Sequence, residues 1–482
     1  MDRSVSRLPV VAVLLLIVAV TMRLPLLGDP IAGVDEQFYL LVGGRIWSGA
    51  WPYVDIWDRK PPGLFLLYAA IRALPGDGIL AYQLVATLAL ALTGLVVTRI
   101  ARRGANDAAA LAAGLATIVF STLLGVGLGE APVFYDLLTA LAAWLVLRMP
   151  VPHALPAAVA MLLCGLAISI KTTAVFEGAA FGLILAVRQY RASGIGARLI
   201  RRVILWMALG LLPMAAAATL YAATGRFGAF RFAIVDSVLR RTGGLTADTG
   251  VQLIATLLLL LPVAIPAVIG LRRHDKTRAN QADDRALLAA WVAATAIGFV
   301  AIGYFAFHYA MPLIPPLAIL AARALRQRVA TAGAALLALA AAAGLLLPSP
   351  RTGDRRALAA LAAALPPQVR DQCLLVLEGP AILYHVSHAC LASPFAFPGH
   401  FAAADEADAL PQPRPAILAA ALARRPAAVV DLALGRDLAG AGYVATAARP
   451  IRLYGGRRVV LTVWWRRDLV RKMSSLAGYP GR

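Results

Sequence analysis

The sequence predicts an all-α polytopic membrane protein with about eleven transmembrane helices, followed by a small α/β domain. Of the 482 residues, 60% are apolar and only 15% are charged, and the mean hydropathy is +0.75. These values exceed what a soluble domain of this length requires. Stretches long enough, or nearly so, to cross a hydrocarbon layer of ~30 Å lie at 8–27, 79–98, 108–126, 131–147, 154–170, 173–187, 203–223, 250–271, 286–305, 309–322 and 329–347.

Basic residues in the short connections predict the orientation. Arginine clusters fall at alternate ends of the predicted spans, so these ends should face the cytoplasm. With an odd number of spans and a cytoplasmic N-terminus, residues 348–482 and the loop 28–78 lie on the extracytoplasmic face. We therefore expect a multi-pass inner-membrane domain at 1–347 and an extracytoplasmic α/β domain at 348–482.

The net charge of +21 raises the question of nucleic-acid binding. The basic residues are nearly all arginines that are scattered between apolar runs rather than gathered in one stripe, so membrane topology accounts for them and no nucleic-acid partner is expected. Cys164 lies in an apolar run. Cys373 and Cys390 both lie in the C-terminal region, where an extracytoplasmic location permits a disulfide.

Two apolar segments of the loop 28–78 are too short to span a membrane. They lie at 36–48 and 61–74 and are expected to form helices at the membrane surface. Pro61 suits the first turn of the second helix. In the C-terminal region, the segments 373–378, 427–432 and 458–465 predict buried strands, with helices at 380–389 and 415–424.

The same loop contains the motifs that indicate function. Asp35 and Glu36 stand side by side just beyond the first span, and Lys60-Pro61-Pro62 opens the second surface helix. In these motifs the chain resembles the dolichyl-phosphate-mannose protein mannosyltransferase and aminoarabinose transferase superfamily. The resemblance covers roughly residues 8–325, is strongest over 28–74 and is weak in the C-terminal domain.

The resemblance implies a C-type glycosyltransferase fold and an inverting glycosyltransferase. Such an enzyme would move a hexose or pentose from a polyprenyl-phosphate carrier to a lipid, glycan or protein acceptor on the extracytoplasmic face. The transfer requires a carboxylate near the acceptor and positive charge at the departing phosphate. Asp35 with Glu36 would provide the carboxylate near the acceptor, and Lys60 would provide the positive charge at the phosphate. The alternatives are that the carboxylates cap the surface helix and that Lys60 reaches toward lipid headgroups.

Glu130 matches a position where the superfamily usually has an acidic residue, more often Asp. It would assist Asp35, or the two would hold a divalent metal ion. The alternative is an interfacial anchor near the start of a helix.

Further candidates for binding the donor phosphate are Lys171, His308 and Tyr304. Lys171 matches a lysine that the superfamily often has between two short spans, although a structural pair with Glu177 would also explain it. His308 and Tyr304 match an aromatic-rich segment before a helix with Pro, where membrane-interface tyrosines are also ordinary. One predicted outer loop is basic, although arginines usually lie on the cytoplasmic side. This exception suggests that the loop binds an anionic ligand or contacts lipid headgroups. The loop contains Arg226, Arg231, Arg240 and Arg241.

The sequence contains no glycine-rich phosphate loop and no zinc-ligand spacing in a usable context. The predicted cytoplasmic loops are too short to bind a nucleotide sugar, so a lipid-linked donor is expected. The rival hypotheses are a transporter or flippase of lipid-linked glycans and a non-catalytic envelope scaffold. A transporter should place its ionisable groups near the bilayer midplane, whereas the candidates here cluster at the outer loops.

Overall fold

The computed structural model describes residues 8–125, 128–241, 246–273, 281–325, 333, 355–403, 406–432, 437–453 and 458–477. The predicted last span at 329–347, apart from residue 333, and the predicted domain boundary lie outside these ranges. The helices of the membrane part are α1 (Leu8–Arg23), α2 (Asp35–Trp47), α3 (Pro62–Arg72), α4 (Ile79–Ala101), α5 (Asp107–Leu124), α6 (Ala131–Leu147), α7 (Ala154–Ile170), α8 (Val175–Ser193), α9 (Ala197–Ala223), α10 (Phe227–Arg231), α11 (Ser237–Arg240), α12 (Ala247–Arg272), α13 (Gln281–Ala301) and α14 (Ile314–Ala324).

Six helical segments in the described part of the chain are long and apolar enough to cross a membrane. They are Pro9–Leu26, Ile79–Ala101, Asp107–Leu124, Ala197–Ala223, Asp248–Arg272 and Asp283–Ala301. The predicted spans at 131–147 and 154–170 are helices of 17 residues, and the one at 309–322 is a 3₁₀ turn followed by the 11 residues of α14. The mostly helical membrane architecture is confirmed, while the number eleven stays a prediction.

Helices α9 and α12 show why the fold requires lipid. Large apolar side chains on both helices are exposed, among them Leu211, Leu212, Leu258 and Ile265. An apolar surface of this extent is stable in a hydrocarbon environment and not in water.

Ion pairs gather the predicted cytoplasmic connections at one end of the bundle. The Asp284 carboxylate, at the start of α13, accepts two hydrogen bonds from Arg103 at 3.0 and 3.1 Å and lies 4.0 Å from Arg323 at the end of α14. Arg188, at the end of α8, lies 3.8 Å from Asp283. Arg103, Arg188 and Arg323, from three of the arginine clusters that predicted alternation, are therefore neighbours in space.

The two helices predicted in the first loop (28–78) are present as α2 and α3, but residues 36–43 of α2 are buried in the protein, so this helix does not lie on a surface as predicted. Their backbones approach closely at Gly43, where a Cβ atom would lie 2.6 Å from the carbonyl carbon of Tyr68. Only glycine allows this approach. Trp47 closes the same interface, since its indole Nε1 donates to the carbonyl oxygen of Ala69 at 2.8 Å.

The C-terminal region forms the expected small α/β domain. Its strands are β1 (Leu374–Val376), β2 (Ala428–Leu432), β3 (Tyr443–Arg452) and β4 (Arg458–Arg466), in the sheet order β1-β2-β4-β3. β1 and β2 are parallel, and the other pairs are antiparallel. Its helices are α15 (Arg355–Ala363), α16 (Val369–Gln372), α17 (Ile382–Val386), α18 (Gly399–Ala402), α19 (Arg414–Ala423) and α20 (Arg467–Ala477).

Strands β1, β2 and β4 and helices α17 and α19 confirm the sequence prediction, but β3 was not predicted. β3 lies at the edge of the sheet, is largely exposed and contains Pro450. An edge strand tolerates proline and needs no apolar alternation, so its sequence lacks the usual strand pattern. The predicted disulfide between Cys373 and Cys390 is present, and Cys164 is a buried free thiol.

The C-terminal domain packs directly on the first loop. The backbone N–H of Trp57 donates to the carbonyl oxygen of Pro394 at 2.9 Å, and the rings of Phe38 and Phe397 meet edge to face at 5.6 Å. The first loop therefore lies between the helix bundle and the C-terminal domain, with Trp47, Val54 and Asp55 among its exposed residues.

Candidate active site

A cavity of about 600 Å³ lies where the helix ends, the first loop and the C-terminal domain meet. Five of the predicted site residues line it, namely Asp35, Lys60, Lys171, Tyr304 and His308. They come from segments up to 273 residues apart, and the fold brings them to one surface. A volume of this size is typical of a small-ligand site.

Asp35 is the first residue of α2, where the helix dipole favours a negative charge. Its Oδ2 atom accepts hydrogen bonds from the Lys60 ammonium at 2.8 Å and from the Tyr39 hydroxyl at 2.9 Å. Burial alone would raise the pKa of Asp35, but the charge and hydrogen bond of Lys60 hold it well below its usual range. The side chain does not cap α2, whose N-cap is Val34.

Lys60 precedes α3, whose N-cap is Pro61 and whose first residue is Pro62. Its ammonium lies 2.9 Å from the Tyr39 hydroxyl as well as 2.8 Å from Asp35. Burial would lower the pKa of Lys60, yet the Asp35 carboxylate outweighs burial and raises it above its usual range. The side chain is only 17% exposed, so it points into the site and not toward lipid headgroups.

Glu36 and Glu130 lie behind this cavity and do not line it. Both are buried, with 0% and 4% exposure. Glu36 accepts a hydrogen bond from the backbone N–H of Gly129 at 3.2 Å, and burial raises its pKa to about 7. Burial, reinforced by the nearby Glu36 and Asp35 carboxylates, also holds the pKa of Glu130 well above its usual range. Their predicted catalytic roles stay predictions.

Lys171 follows α7 directly and points toward the aromatic side of the cavity. Its ammonium lies 4.7 Å from the centroid of the Tyr309 ring, and the ion pairs in the described part of the chain do not join it to Glu177. Burial and the Lys60 charge lower the pKa of Lys171 to about 7. Burial likewise lowers the pKa of His308 to about 3, so this imidazole is neutral.

The sequence did not indicate that Glu406 of the C-terminal domain contributes to the site. Glu406 lines the cavity, and its Oε1 accepts a hydrogen bond from the Arg59 guanidinium at 2.7 Å while its Oε2 contacts the same guanidinium. Arg241 lies 3.6 Å from Glu406. Arg59 and Glu406 are 347 residues apart, so no local pattern could reveal the pair.

Only part of the basic loop predicted to bind an anion reaches the site. Arg241 lines the cavity and lies 5.0 Å from the Tyr304 ring. Elsewhere in this loop, Arg226 stacks on Trp51 at 4.5 Å, and Arg231 pairs with Asp236 at 3.2 Å. These two arginines have local structural partners.

The residues at the site do not fit the expected metal ion well. Asp35 already receives the Lys60 ammonium, which a metal ion would have to displace. The described ranges of the chain hold no group of three His, Cys, Asp or Glu side chains placed to bind a metal.

Two solved structures share this architecture over most of the chain. ArnT from Cupriavidus metallidurans bound to undecaprenyl phosphate matches with a TM-score of 0.63 and 16% identity, covering 95% of this chain and 97% of ArnT. The apo oligosaccharyltransferase from Archaeoglobus fulgidus matches with a TM-score of 0.52 and 13% identity, covering 88% of this chain and 69% of the other. The chain has the C-type glycosyltransferase fold.

The same oligosaccharyltransferase in complex with Zn and sulfate matches with a TM-score of 0.50 and 14% identity, covering 88% of this chain and 68% of the other. No family model matches the chain, and no curated protein matches it. The fold, together with the apolar helices, identifies an integral membrane protein. Neither the transporter nor the scaffold hypothesis is favoured by these matches.

Proposed function

We propose that this protein is an inverting glycosyltransferase that moves a sugar from a polyprenyl-phosphate carrier to an acceptor on the extracytoplasmic face of the inner membrane. The observation that carries the proposal is one cavity in which a carboxylate and several cations converge, directly beside an apolar cavity. The charged, polar cavity suits a reacting sugar phosphate, and the apolar cavity suits a lipid tail.

The charge of the polar cavity supports a donor with a single phosphate. Four cationic side chains and three carboxylates are found among the described residues that line it: Arg59, Lys60, Lys171 and Arg241, and Asp35, Asp58 and Glu406. When Lys171, whose pKa is about 7, is protonated, one positive charge is in excess. A phosphodiester carries one negative charge at neutral pH and would balance it, whereas a diphosphate linkage would leave a buried negative charge uncompensated.

The apolar cavity supports a polyprenyl carrier. It has a volume of about 910 Å³ and is lined mainly by apolar side chains, including Leu67, Leu138 and Leu166. Its lining includes Pro62, which directly follows Pro61 of the polar cavity. It also includes Ile170, which directly precedes Lys171 of the polar cavity. A lipid tail in the apolar cavity would therefore bring its phosphate to Lys60 and Lys171.

Asp35 is the proposed base. Its pKa is held low while Lys60 donates to it, so the resting pair is a weak base. A donor phosphate beside Lys60 would share the ammonium charge, and the proton affinity of Asp35 would rise. The bound donor would thereby prepare Asp35 for the acceptor.

In the transfer step, an acceptor oxygen or nitrogen forms a bond to the anomeric carbon while the bond from that carbon to the phosphate oxygen breaks. The acceptor proton goes to Asp35, and the electron pair leaves with polyprenyl phosphate. Lys60 and Lys171 stabilise the charge that develops on this phosphate. Attack on the side opposite the leaving group inverts the anomeric centre.

The proposed orientation places the N-terminus in the cytoplasm and the C-terminal domain in the periplasm. A fusion at Arg482 to a reporter active only in the periplasm should be active, and a cytoplasmic reporter should be silent. The opposite result would reverse the assignment of the two ends of the bundle.

The function is tested by mass spectrometry of envelope glycolipids and glycoproteins from cells that lack the protein, cells that express it, and cells that express Asp35→Asn. We expect at least one glycan to carry a single extra sugar in cells that express the native protein. Cells that lack the protein and cells that express Asp35→Asn should not contain this glycan. If no glycan changes, but purified protein in liposomes moves lipid-linked glycans across the bilayer, the transporter hypothesis replaces this proposal.

A further inference from the structure

The C-terminal domain forms one wall of the polar cavity. The wall includes Phe397, His400, Ala403 and Glu406, which face the side that carries Asp35 and Lys60. The domain is therefore part of the candidate active site and not only an appendage to it.

His400 is the unusual residue of this wall. It is 2% exposed, and its Nδ1 atom has no hydrogen-bond partner among the described residues. Leaving a buried nitrogen without a partner lowers stability unless a ligand supplies the missing bond. The ring lies against Trp57 at 4.9 Å and Phe397 at 5.4 Å, measured between centroids. These aromatic rings hold the imidazole in place at the cavity wall.

The environment of His400 keeps the imidazole neutral. Burial and the nearby Arg59 and Arg414 charges hold the pKa of His400 well below its usual range. A neutral imidazole offers one N–H donor and one nitrogen acceptor. This pair of functions matches a hydroxyl group, which also donates and accepts, better than it matches a phosphate.

Neighbouring contacts fix the position of this wall. The Arg414 guanidinium donates to the backbone carbonyl oxygen of His400 at 2.8 Å and also contacts the carbonyl oxygen of Ala403. Glu406 joins the wall to Arg59 and Arg241. The wall is thus held against the cationic residues where the donor phosphate is expected.

We propose that His400 binds a hydroxyl group of the donor sugar and contributes to the choice of sugar. This inference rests on the proposed function, because it takes the phosphate to lie near Lys60, Lys171 and Arg241. The sugar is bonded to that phosphate and must occupy an adjoining part of the same cavity. Phe397 presents an aromatic surface there against which the C–H groups of a sugar ring would pack.

The test compares ligands that differ only in the sugar. Binding to purified protein in nanodiscs is measured for undecaprenyl phosphate alone and for undecaprenyl phosphate that carries glucose, mannose, galactose or aminoarabinose. His400→Phe keeps an aromatic ring and removes both hydrogen-bonding nitrogens. His385→Phe makes the same change in the C-terminal domain at a residue that does not line the cavity.

We expect native protein to bind at least one sugar-bearing lipid more tightly than undecaprenyl phosphate alone. In His400→Phe, the affinity for that sugar-bearing lipid should fall roughly three- to tenfold, while the affinity for undecaprenyl phosphate should stay unchanged. His385→Phe should bind all five lipids as the native protein does. His400→Asn, which retains polar atoms, should keep part of the gain if His400→Phe misfolds. Thermal unfolding of each variant checks folding.

Two results would overturn the inference. In one, His400→Phe retains the full gain in affinity; in the other, it loses affinity for the sugar-bearing lipids and for undecaprenyl phosphate equally. If native protein binds none of the five lipids, the proposed function fails as well, and the inference fails with it.

Discussion

The Lys60 ammonium donates a hydrogen bond of 2.8 Å to the Oδ2 atom of Asp35, and the Tyr39 hydroxyl contacts both groups at 2.9 Å. The pair joins the start of α2 to the residue before the N-cap of α3, 25 positions away. The group expected to act on the acceptor and the group expected to bind the phosphate therefore control each other's charge.

Asp35→Asn should lower sugar transfer by about 10² or more, because the amide cannot accept the acceptor's proton. The matched control is Asp55→Asn, the same change in an exposed residue of the same loop, which should transfer normally. Turnover by purified variants and their thermal unfolding are measured together. Near-normal turnover of Asp35→Asn would remove Asp35 from the catalytic role.

Lys60→Ala should weaken donor binding and slow transfer, since the ammonium is expected to contact the phosphate before and after the bond breaks. Lys60→Arg should retain partial activity because it keeps the charge with a different geometry. Arg72→Ala removes a cation of the same loop that does not line the cavity and serves as control. Unchanged affinity for undecaprenyl phosphate in Lys60→Ala would contradict the assignment.

Glu36→Gln should change the pH dependence of stability more than it changes turnover. The pKa of Glu36 is raised from 4.5 to about 7 by burial, so its protonated form is the one that the fold favours. Its contribution to stability is complete below pH 4.5 and is lost as the pH rises to 7, a loss of about 3 kcal/mol. Gln does not titrate.

The unfolding temperature of Glu36→Gln should therefore match that of the native protein near pH 4.5 and exceed it above pH 7. Melting curves across this range test the expectation, with Asp55→Asn as a carboxylate-to-amide control. Parallel pH profiles for Glu36→Gln and native protein would show that Glu36 is not protonated in the fold.

Glu406→Ala should destabilise the protein by about 3–5 kcal/mol, because it leaves the largely buried Arg59 without its carboxylate. The side chains of Arg59 and Glu406 are only 11% and 10% exposed. Asp468→Ala breaks a pair in the same domain whose carboxylate is 43% exposed, and it should cost about 0–1 kcal/mol. Thermal or denaturant unfolding of both variants measures the difference. Equal effects would mean that the Glu406 pair is solvated.

The Cys373–Cys390 disulfide should protect both thiols from alkylation in unreduced protein. It closes a loop of 17 residues, for which the loss of chain entropy in the unfolded state corresponds to about 3 kcal/mol. Cys373→Ser with Cys390→Ser should lower the unfolding temperature accordingly, whereas Cys164→Ser should not affect thiol protection. Labelling of Cys373 and Cys390 without reductant would rule out the bond in the mature protein.

Local patterns predicted much of the architecture. The apolar runs and alternating arginines predicted the membrane helices, and the short apolar segments predicted α2 and α3, because both signals are set by neighbouring residues. The motifs around Asp35 and Lys60 also led to the candidate site. The prediction failed for β3, since an edge strand with Pro450 carries no alternating pattern.

Hydropathy and local patterns alone indicated a membrane protein, most of its helices, three of its four strands, and Asp35 and Lys60 as candidates for chemistry. The packing of the folded chain was needed to show that Glu36 and Glu130 lie behind the cavity while Glu406 and His400 line it. Hydropathy and helix signals depend on residues a few positions apart, whereas the Arg59–Glu406 pair and the His400 wall arise from contacts hundreds of residues apart, formed when the C-terminal domain packs on the first loop.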